Sequence, residues 1–596
     1  LKVSQGTEFK ALHQFYSHYF LLKFKDIEGN SAWEQEWENN ESSLILDSSG
    51  SGLKDFETIR RDQQYELFYI RTEDGKPYFN ETLLRNIKLS ADFESTGESF
   101  EEDPLLKVRS MQDRDLQSSA NQILGDCHLL IQDLFKLSGK LKNNELAQQL
   151  NMAVMALFIA ANPRYLIQNT VGKSCLDYFD DFHQFLRRAM NTFEYNRWIA
   201  YPAEGNDKKS STLLSLTHSL CRSFFERVGG IKQESIGLIY RTMRRGSEVE
   251  TKKMLKGESL WNQFLLEDEN LRSLLSKFPN GPLFKTLDFI RENHEEVISA
   301  FDPISQKNLP LKLYQMEGGE HFIDFLRIPS PTKQSLIHKV EIIEEFQGFL
   351  RSLDSKKKKH LIINLQDRTS WREYARSRSL ENFQKNAEFS ENLFVFSLPK
   401  DTDFYYQNHE YLNMNRYDDF IHAFQMQLKK PEECGYYFPS IFPSSELNSF
   451  AEKVFPLIHT WFFHQKETLT RRNREDFIEI FYQFLILKIL DFLEPNSVSF
   501  TCKDAIDTGA AESSIFYGFL KLLTGDFSKK EEQNFFLWLL YTPALFIRER
   551  AIDPERLHRV LSCLEKVDMS ISVNKAKIVK AFNPIVSLEK FQVHHI

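Results

Sequence analysis

The sequence predicts a mixed, helix-rich α/β protein, and three observations carry that expectation. From about residue 280, short apolar runs bounded by turn residues alternate with amphipathic helical segments. Between residues 105 and 279 the apolar residues recur at helical spacing. Residues 1–104 differ from both in composition: 11 Lys and Arg stand against 21 Asp and Glu, while the rest of the chain is close to neutral. Three regions follow: an acidic N-terminal segment (1–104), a helical domain (105–279) and an α/β domain (280–596).

The elements are justified in chain order. Residues 39–53 are rich in Ser, Gly and Asn, which bury too little to hold a fixed shape, and read as a linker. Residues 65–70 alternate like a strand, Thr72-Glu73-Asp74-Gly75 is a turn signal, and 76–80 supply a return strand. A second linker covers 95–103. Helices are expected over 113–137, 145–161, 175–193, 213–228 and 260–278, the second of them stopped by Asn162-Pro163. No fixed repeat period links them, so a regular solenoid is not supported.

Beyond 280, a strand is expected at 312–316. A helix follows over 333–353, with Ile337, Val340, Ile343, Phe346, Phe349 and Leu350 on one face. Strands at 360–365 and 393–398 flank a helix at 370–385. Helices at 417–428, 444–464 and 474–493 precede a strand at 497–502 and a helix at 509–523, with further helices to the end. Strands this apolar indicate a mostly parallel sheet covered on both faces. Functional residues in such sheets sit where the carboxyl ends of strands lead into helices.

Composition removes several function classes. The chain has 596 residues, of which 41% are hydrophobic and 52 are Phe, enough for a large aromatic core. Its 6 Cys form no C-x2-C pair, which argues against a disulfide scaffold and a cysteine zinc site and leaves each thiol to be judged alone. A net charge of -9 argues against a nucleic-acid footprint. The most apolar stretch, 477–493, carries Glu479, Lys488 and Asp491 and is shorter than the ~20 residues a membrane span needs. The chain opens on Leu1 without a signal-peptide pattern, as expected where a longer product continues upstream. No metal, nucleotide or serine-hydrolase motif is found, and no cofactor is expected.

One strand-to-helix junction stands out. The expected strand 497–502 ends on Cys502, a short loop over 503–508 follows, and a helix opens on the small residues Gly509-Ala510-Ala511. Loop N–H groups and a helix N-terminus converging there would form an anion cradle, whose field would lower the pKa of a central thiol. Cys127, Cys175 and Cys221 fall among apolar helical residues and read as buried hydrophobes.

The junction resembles the C-x5-R-[ST] signature of cysteine-dependent phosphatases, closest to the branch acting on inositol phosphates and phosphoinositides: myotubularins, Sac-type lipid phosphatases and bacterial effector inositol phosphatases. Cys502 stands at the nucleophile position, Lys503 matches the bacterial pattern, and Asp504 and Asp507 match family aspartates. The resemblance implies a tyrosine-phosphatase-like parallel or mixed sheet for 280–596. It also implies an attacking Cys502, a general acid at Asp507 or at the loop residue Asp403, and phosphate contacts from Lys503, Asp504, Ala505, Ile506, Thr508 and Gly509.

The departure is equally specific. Thr508 occupies the place of the phosphate-clamping Arg, and Gly509 that of the hydroxyl. Losing a bidentate cation costs several kcal/mol of transition-state stabilisation, so a pseudophosphatase with little or no turnover is expected. Arg368 or Arg372, after the strand 360–365, would supply a substitute cation if that strand lies beside 497–502. The expected ligands are inositol phosphates, phosphoinositides or phosphoproteins.

The whole layout, with phrases such as INLQDRTSWREYARSRSLE and FTCKDAIDTGAA, resembles a conserved chlamydial protein family without assigned activity. That resemblance implies a protein of an intracellular bacterium, cytoplasmic or secreted into the host cell as an effector. The alternative reading is a non-catalytic interaction protein whose partners bind the helical region.

Overall fold

The computed structural model describes Arg60–Arg61, Phe68–Tyr69 and most of 104–595. Outside the description lie the rest of 1–103 and the stretches 138–140, 162–174, 203–206, 246–258, 277–301, 305–307 and 337–338, with residues 142, 320, 372, 549 and 596. The strands β1 (Arg60–Arg61) and β2 (Phe68–Tyr69) pair antiparallel. The expected return strand at 76–80 lies outside the described residues.

Among the described residues eight helices come next: α1 (Pro104–Asp126), α2 (His128–Leu137), α3 (Glu145–Ala161), α4 (Cys175–Met190), α5 (Phe193–Ala200), α6 (Lys208–Phe225), α7 (Lys232–Arg245) and α8 (Leu260–Ser276). The single helix expected over 113–137 is two, broken at Cys127. Gly125 weakens the ladder just before the break, and the ring nitrogen Nδ1 of His128 lies 2.8 Å from its carbonyl oxygen.

The remaining elements are β3 (Leu311–Gly318), β4 (Phe322–Arg327), β5 (Thr332–Leu336), β6 (Lys339–Ile342), α9 (Glu344–Asp354), β7 (His360–Asn364), α10 (Tyr374–Phe383), β8 (Leu393–Ser397), α11 (Tyr417–Lys429), α12 (Ser444–Phe463), α13 (Arg471–Leu493), β9 (Ser497–Thr501), α14 (Thr508–Leu523), α15 (Lys530–Arg548), α16 (Pro554–Val586) and β10 (Phe591–His595). Two expectations are corrected. Residues 333–353 are a hairpin, β5 with β6, followed by the short α9. The spacing of Ile337, Val340 and Ile343 suits a helix, but cross-strand pairing of Gln334 with Val340 and Thr332 with Ile342 prevails. The chain also closes on a strand rather than a helix, because Phe591 and Val593 alternate with exposed Gln592 and pair β10 with β3.

A six-stranded mixed sheet runs β10-β3-β4-β9-β7-β8. Its four consecutive strands β4, β9, β7 and β8, ending on the β8 edge, are parallel, while β3 is antiparallel to both β4 and β10. The strands β7, β8 and β9 are buried along their whole length, which explains their continuous apolar reading. Helices cover both faces. Leu326, Ile362 and Val395 share one core with α3, α4, α6 and α9. Phe325, Leu361, Ile363, Phe394, Val498 and Phe500 share the other with α13, α14, α15 and α16. The helices of 104–225 therefore pack onto the sheet through a common apolar core.

Helix α13 explains the apolar stretch at 477–493. It is buried nearly all round, and its Arg474, 0% exposed, donates to the side chains of Gln407 and Asn415 and to the carbonyls of Leu469, Tyr411 and Leu412. Among the described residues no helix is long and apolar enough to cross a membrane.

Candidate functional site

Strand β9 comes late in the chain yet lies at the middle of the sheet, between β4 and β7. The path from β4 skips its slot, moves outward through β7 to β8, and returns to fill it. Crevices form outside the carboxyl ends of strands at such reversals. Cys502 sits there, half-buried, directly after β9.

The loop folds back on the thiol. Ala505 adopts a left-handed backbone (φ 49°), and its N–H donates to Cys502 Sγ at 3.2 Å. The N–H of Gly509 faces the sulfur as well. Gly509 is required by closeness: a Cβ there would stand 3.1 Å from Ala505 Cβ, 3.2 Å from the Phe500 carbonyl oxygen and 3.7 Å from the sulfur. Asp507 occupies the N-cap position of α14, but its side chain does not cap the helix. The first amides of α14 thus have no side-chain cap, the condition in which a helix N-terminus takes an anion.

Burial, rather than the loop field, governs the thiol. It pushes Cys502 up to about 12, the Asp504 carboxylate adds to the rise, and the Ala505 and Gly509 amides oppose it. The expected lowering by the helix N-terminus is outweighed, and Cys502 is a protonated thiol at neutral pH.

The aspartates are engaged by arginines from the end of α15 and the turn after it. Arg550 grips both carboxylate oxygens of Asp507 at 2.8 and 2.6 Å, and the Asp553 N–H donates to the same carboxylate. Arg548 lies 3.4 Å from Asp504 Oδ2, while Asp504 Oδ1 is buried without a hydrogen bond. Asp403 is placed elsewhere, largely exposed and 3.5 Å from His409. The side chains of Ala505 and Ile506 are buried, and the Ala505 N–H is the backbone group that turns back to the sulfur. Lys503 is half-buried at the loop start.

Strand β7 does neighbour β9, as the substitute-cation expectation requires. Even so, Arg368 is taken up inside the fold: it donates to Glu381 at 2.9 Å and to the carbonyls of Glu432 and Tyr436. Arg372 lies outside the described residues. A group that sequence reasoning missed in the same loop is Glu373. Its carboxylate accepts the Asp367 N–H at 2.7 Å, and burial pushes it up to about 7 against the pull of Arg376.

A second missed residue lies on the other side of β9. Arg327 closes β4, whose Leu326 pairs with Ser499 of β9. It is 5% exposed, and both terminal nitrogens donate to Asn308 Oδ1 at 2.7 Å, with a further bond to the Leu309 carbonyl. Asn308 in turn donates to the Asp504 carbonyl at 2.6 Å. Among the described residues Arg327 makes no ion pair. Burial and the neighbouring Arg227 push it down to about 9, while Cys502 and Asp504 hold it up. No local sequence signal marks it, because only the sheet order brings β4 beside β9.

Thr508 lines a small cavity of about 10 Å³, room for about one water, together with Lys400, Tyr405, Glu479, Ala511, Ile515, Arg556, Arg559 and Val560. Lys400 is fully buried, with Nζ 2.6 Å from Glu479 and in contact with Glu512. The position where the phosphatase signature carries its Arg therefore adjoins a space that already holds three cations.

Among the described residues no cluster of His, Cys, Asp and Glu could hold a metal ion. No family model, no curated protein and no solved structure matches this chain.

Proposed function

We propose that the protein binds phosphorylated ligands at the Cys502 loop as a degenerate relative of cysteine-dependent phosphatases, with little or no turnover. The ligand class is an inositol phosphate, a phosphoinositide headgroup or a phosphoprotein. The observation that carries the reading is the loop itself: a cysteine at the end of the central strand, a left-handed turn that sends the Ala505 amide back to its sulfur, and an uncapped helix start at Thr508 and Gly509.

Binding is favoured over turnover for two reasons. The thiol is raised to about 12, so the nucleophilic thiolate is scarce at neutral pH. The Asp507 carboxylate is held in a bidentate grip by Arg550 and is not presented as a proton donor.

Calorimetric titration of the full chain with inositol hexakisphosphate tests the reading. Saturable binding is expected, and Cys502→Asp, which puts a carboxylate at the centre of the loop, is expected to abolish it. Binding that persists in Cys502→Asp would place the ligand elsewhere. Turnover of para-nitrophenyl phosphate is expected near background, and any residue of it should vanish in Cys502→Ser.

A further inference from the structure

The Cys502 loop carries no arginine of its own, yet one is built in underneath it. Three observations converge on Arg327. It is 5% exposed and makes no ion pair among the described residues, whereas the nearby buried Arg227 is paired with Asp115 at 3.1 Å. A guanidinium keeps its proton at physiological pH, so Arg327 is a buried cation. Such a charge is costly unless an anion balances it, and neutral acceptors such as Asn308 and the Leu309 carbonyl satisfy its hydrogen bonds without cancelling its charge.

The second observation is what lies near it. The negative groups that act on Arg327 are Cys502 in its thiolate form and Asp504, both members of the loop. Asp504 is only partly available, since Arg548 stands 3.4 Å from one of its oxygens. The third observation is mechanical. Arg327 grips Asn308 with two nitrogens, and Asn308 donates to the Asp504 carbonyl, a short relay from β4 into the loop backbone. On the same side, the Ser330 N–H is shared between the Cys502 and Lys503 carbonyls at 2.9 and 3.2 Å, which ties the loop after β4 to the loop after β9.

We propose that Arg327 is the cation of the Cys502 loop: a positioning residue that holds the loop through Asn308 and balances the charge of a phosphoryl oxyanion seated on the loop amides. The proposal rests on the reading of the loop as a phosphate site. It replaces the fork that the phosphatase signature delivers from the helix start with a fixed charge delivered from the neighbouring strand. A buried positive charge of this kind attracts the oxyanion without touching it. It offers no movable bidentate clamp to a transition state, which agrees with binding and little turnover.

The test is alkylation of Cys502 by iodoacetamide in the full chain, followed at the Cys502 peptide by mass spectrometry across pH 6–10, with and without orthophosphate. In the unmodified sequence, saturating orthophosphate is expected to slow alkylation roughly tenfold, since the anion covers the sulfur and disfavours the thiolate. Arg327→Met is expected to lose that protection and to alkylate about tenfold more slowly at a given pH, because the thiolate has lost its cation. Arg327→Lys, which keeps the charge, is expected to restore most of both effects. Protection and pH profile unchanged in Arg327→Met would overturn the role of Arg327 and leave the phosphate site standing. No protection at any orthophosphate concentration in the unmodified sequence would overturn the site itself. Should Arg327→Met fail to fold, Asn308→Ala carries the test: it cuts the relay and should weaken protection at least severalfold, and undiminished protection there would equally overturn the proposal.

Discussion

Replacing Lys400 with Met removes one ammonium from two carboxylates that cannot reach water. Glu479 and Glu512 are 1% and 0% exposed, and both contact Lys400 Nζ, the first at 2.6 Å. Tyr405 also donates its hydroxyl to Glu479, and Gln483 donates to Glu512 at 3.1 Å. Breaking a buried ion pair by removing one partner costs about 3–5 kcal/mol. That range is expected for Lys400→Met at pH 7. The pH dependence gives the account its sharper edge. In the native protein Lys400 holds Glu479 below the usual carboxylate range, so its contribution is present above the unfolded value and is lost only as pH falls through the lower folded one. At pH 5 the unmodified protein still holds it. In the variant at least one carboxylate takes up a proton between pH 7 and 5, which relieves the penalty by up to about 2–3 kcal/mol. Urea unfolding at the two pH values reads this as a midpoint gap at constant slope. A loss under about 1 kcal/mol at pH 7, or a gap that does not narrow at pH 5, would refute the reasoning.

Three further outcomes are expected. Gly509→Val brings branched carbons against the Ala505 Cβ, the Phe500 carbonyl and the Cys502 sulfur, at a cost of about 1–3 kcal/mol; unfolding should detect it, and a neutral result would mean that the loop is not packed against α14. His183 and His360 are buried and each pushed down to about 3, chiefly by desolvation, so their stabilising neutral forms are fully present above pH 6.5 and lost as pH falls toward 3; each should cost about 2 kcal/mol at pH 5, measurable as an acid-lowered urea midpoint that His360→Gln partly restores. Thr508→Arg is expected to leave para-nitrophenyl phosphate turnover at background, because position 508 lines a cavity already holding Lys400, Arg556 and Arg559; a tenfold rise would mean that the new side chain turns to the thiol instead.

The sequence reading reached what local pattern encodes. Strands β7, β8 and β9 are apolar from end to end because helices cover both faces of the sheet, and α13 announces itself by length and periodicity. Strand β4 escaped because Asp324 and Arg327 interrupt its apolar run, and the β5–β6 hairpin escaped because its apolar spacing also suits a helix. At the site, the position of Cys502 at a strand-to-helix junction was legible, since strand end, loop and small-residue helix start are consecutive in the chain. The partners of the loop were not. Arg327, Asn308, Arg548 and Arg550 come from distant segments, and only the sheet order and the packing of α15 bring them together. The spacing gave Thr508 the position of an arginine, but which way that residue points depends on α13 and α16, which wall the cavity beside it.

The central claim is that residues 502–509 seat a phosphate-like oxyanion. A crystal of the full chain soaked in tungstate, a heavy tetrahedral mimic of phosphate, tests it most directly. The account predicts anomalous density above the Cys502 sulfur, with its oxygens in reach of the loop amides and the start of α14. Density absent from the loop while the soak labels other surfaces, or confined to the cavity beside Thr508, would contradict it.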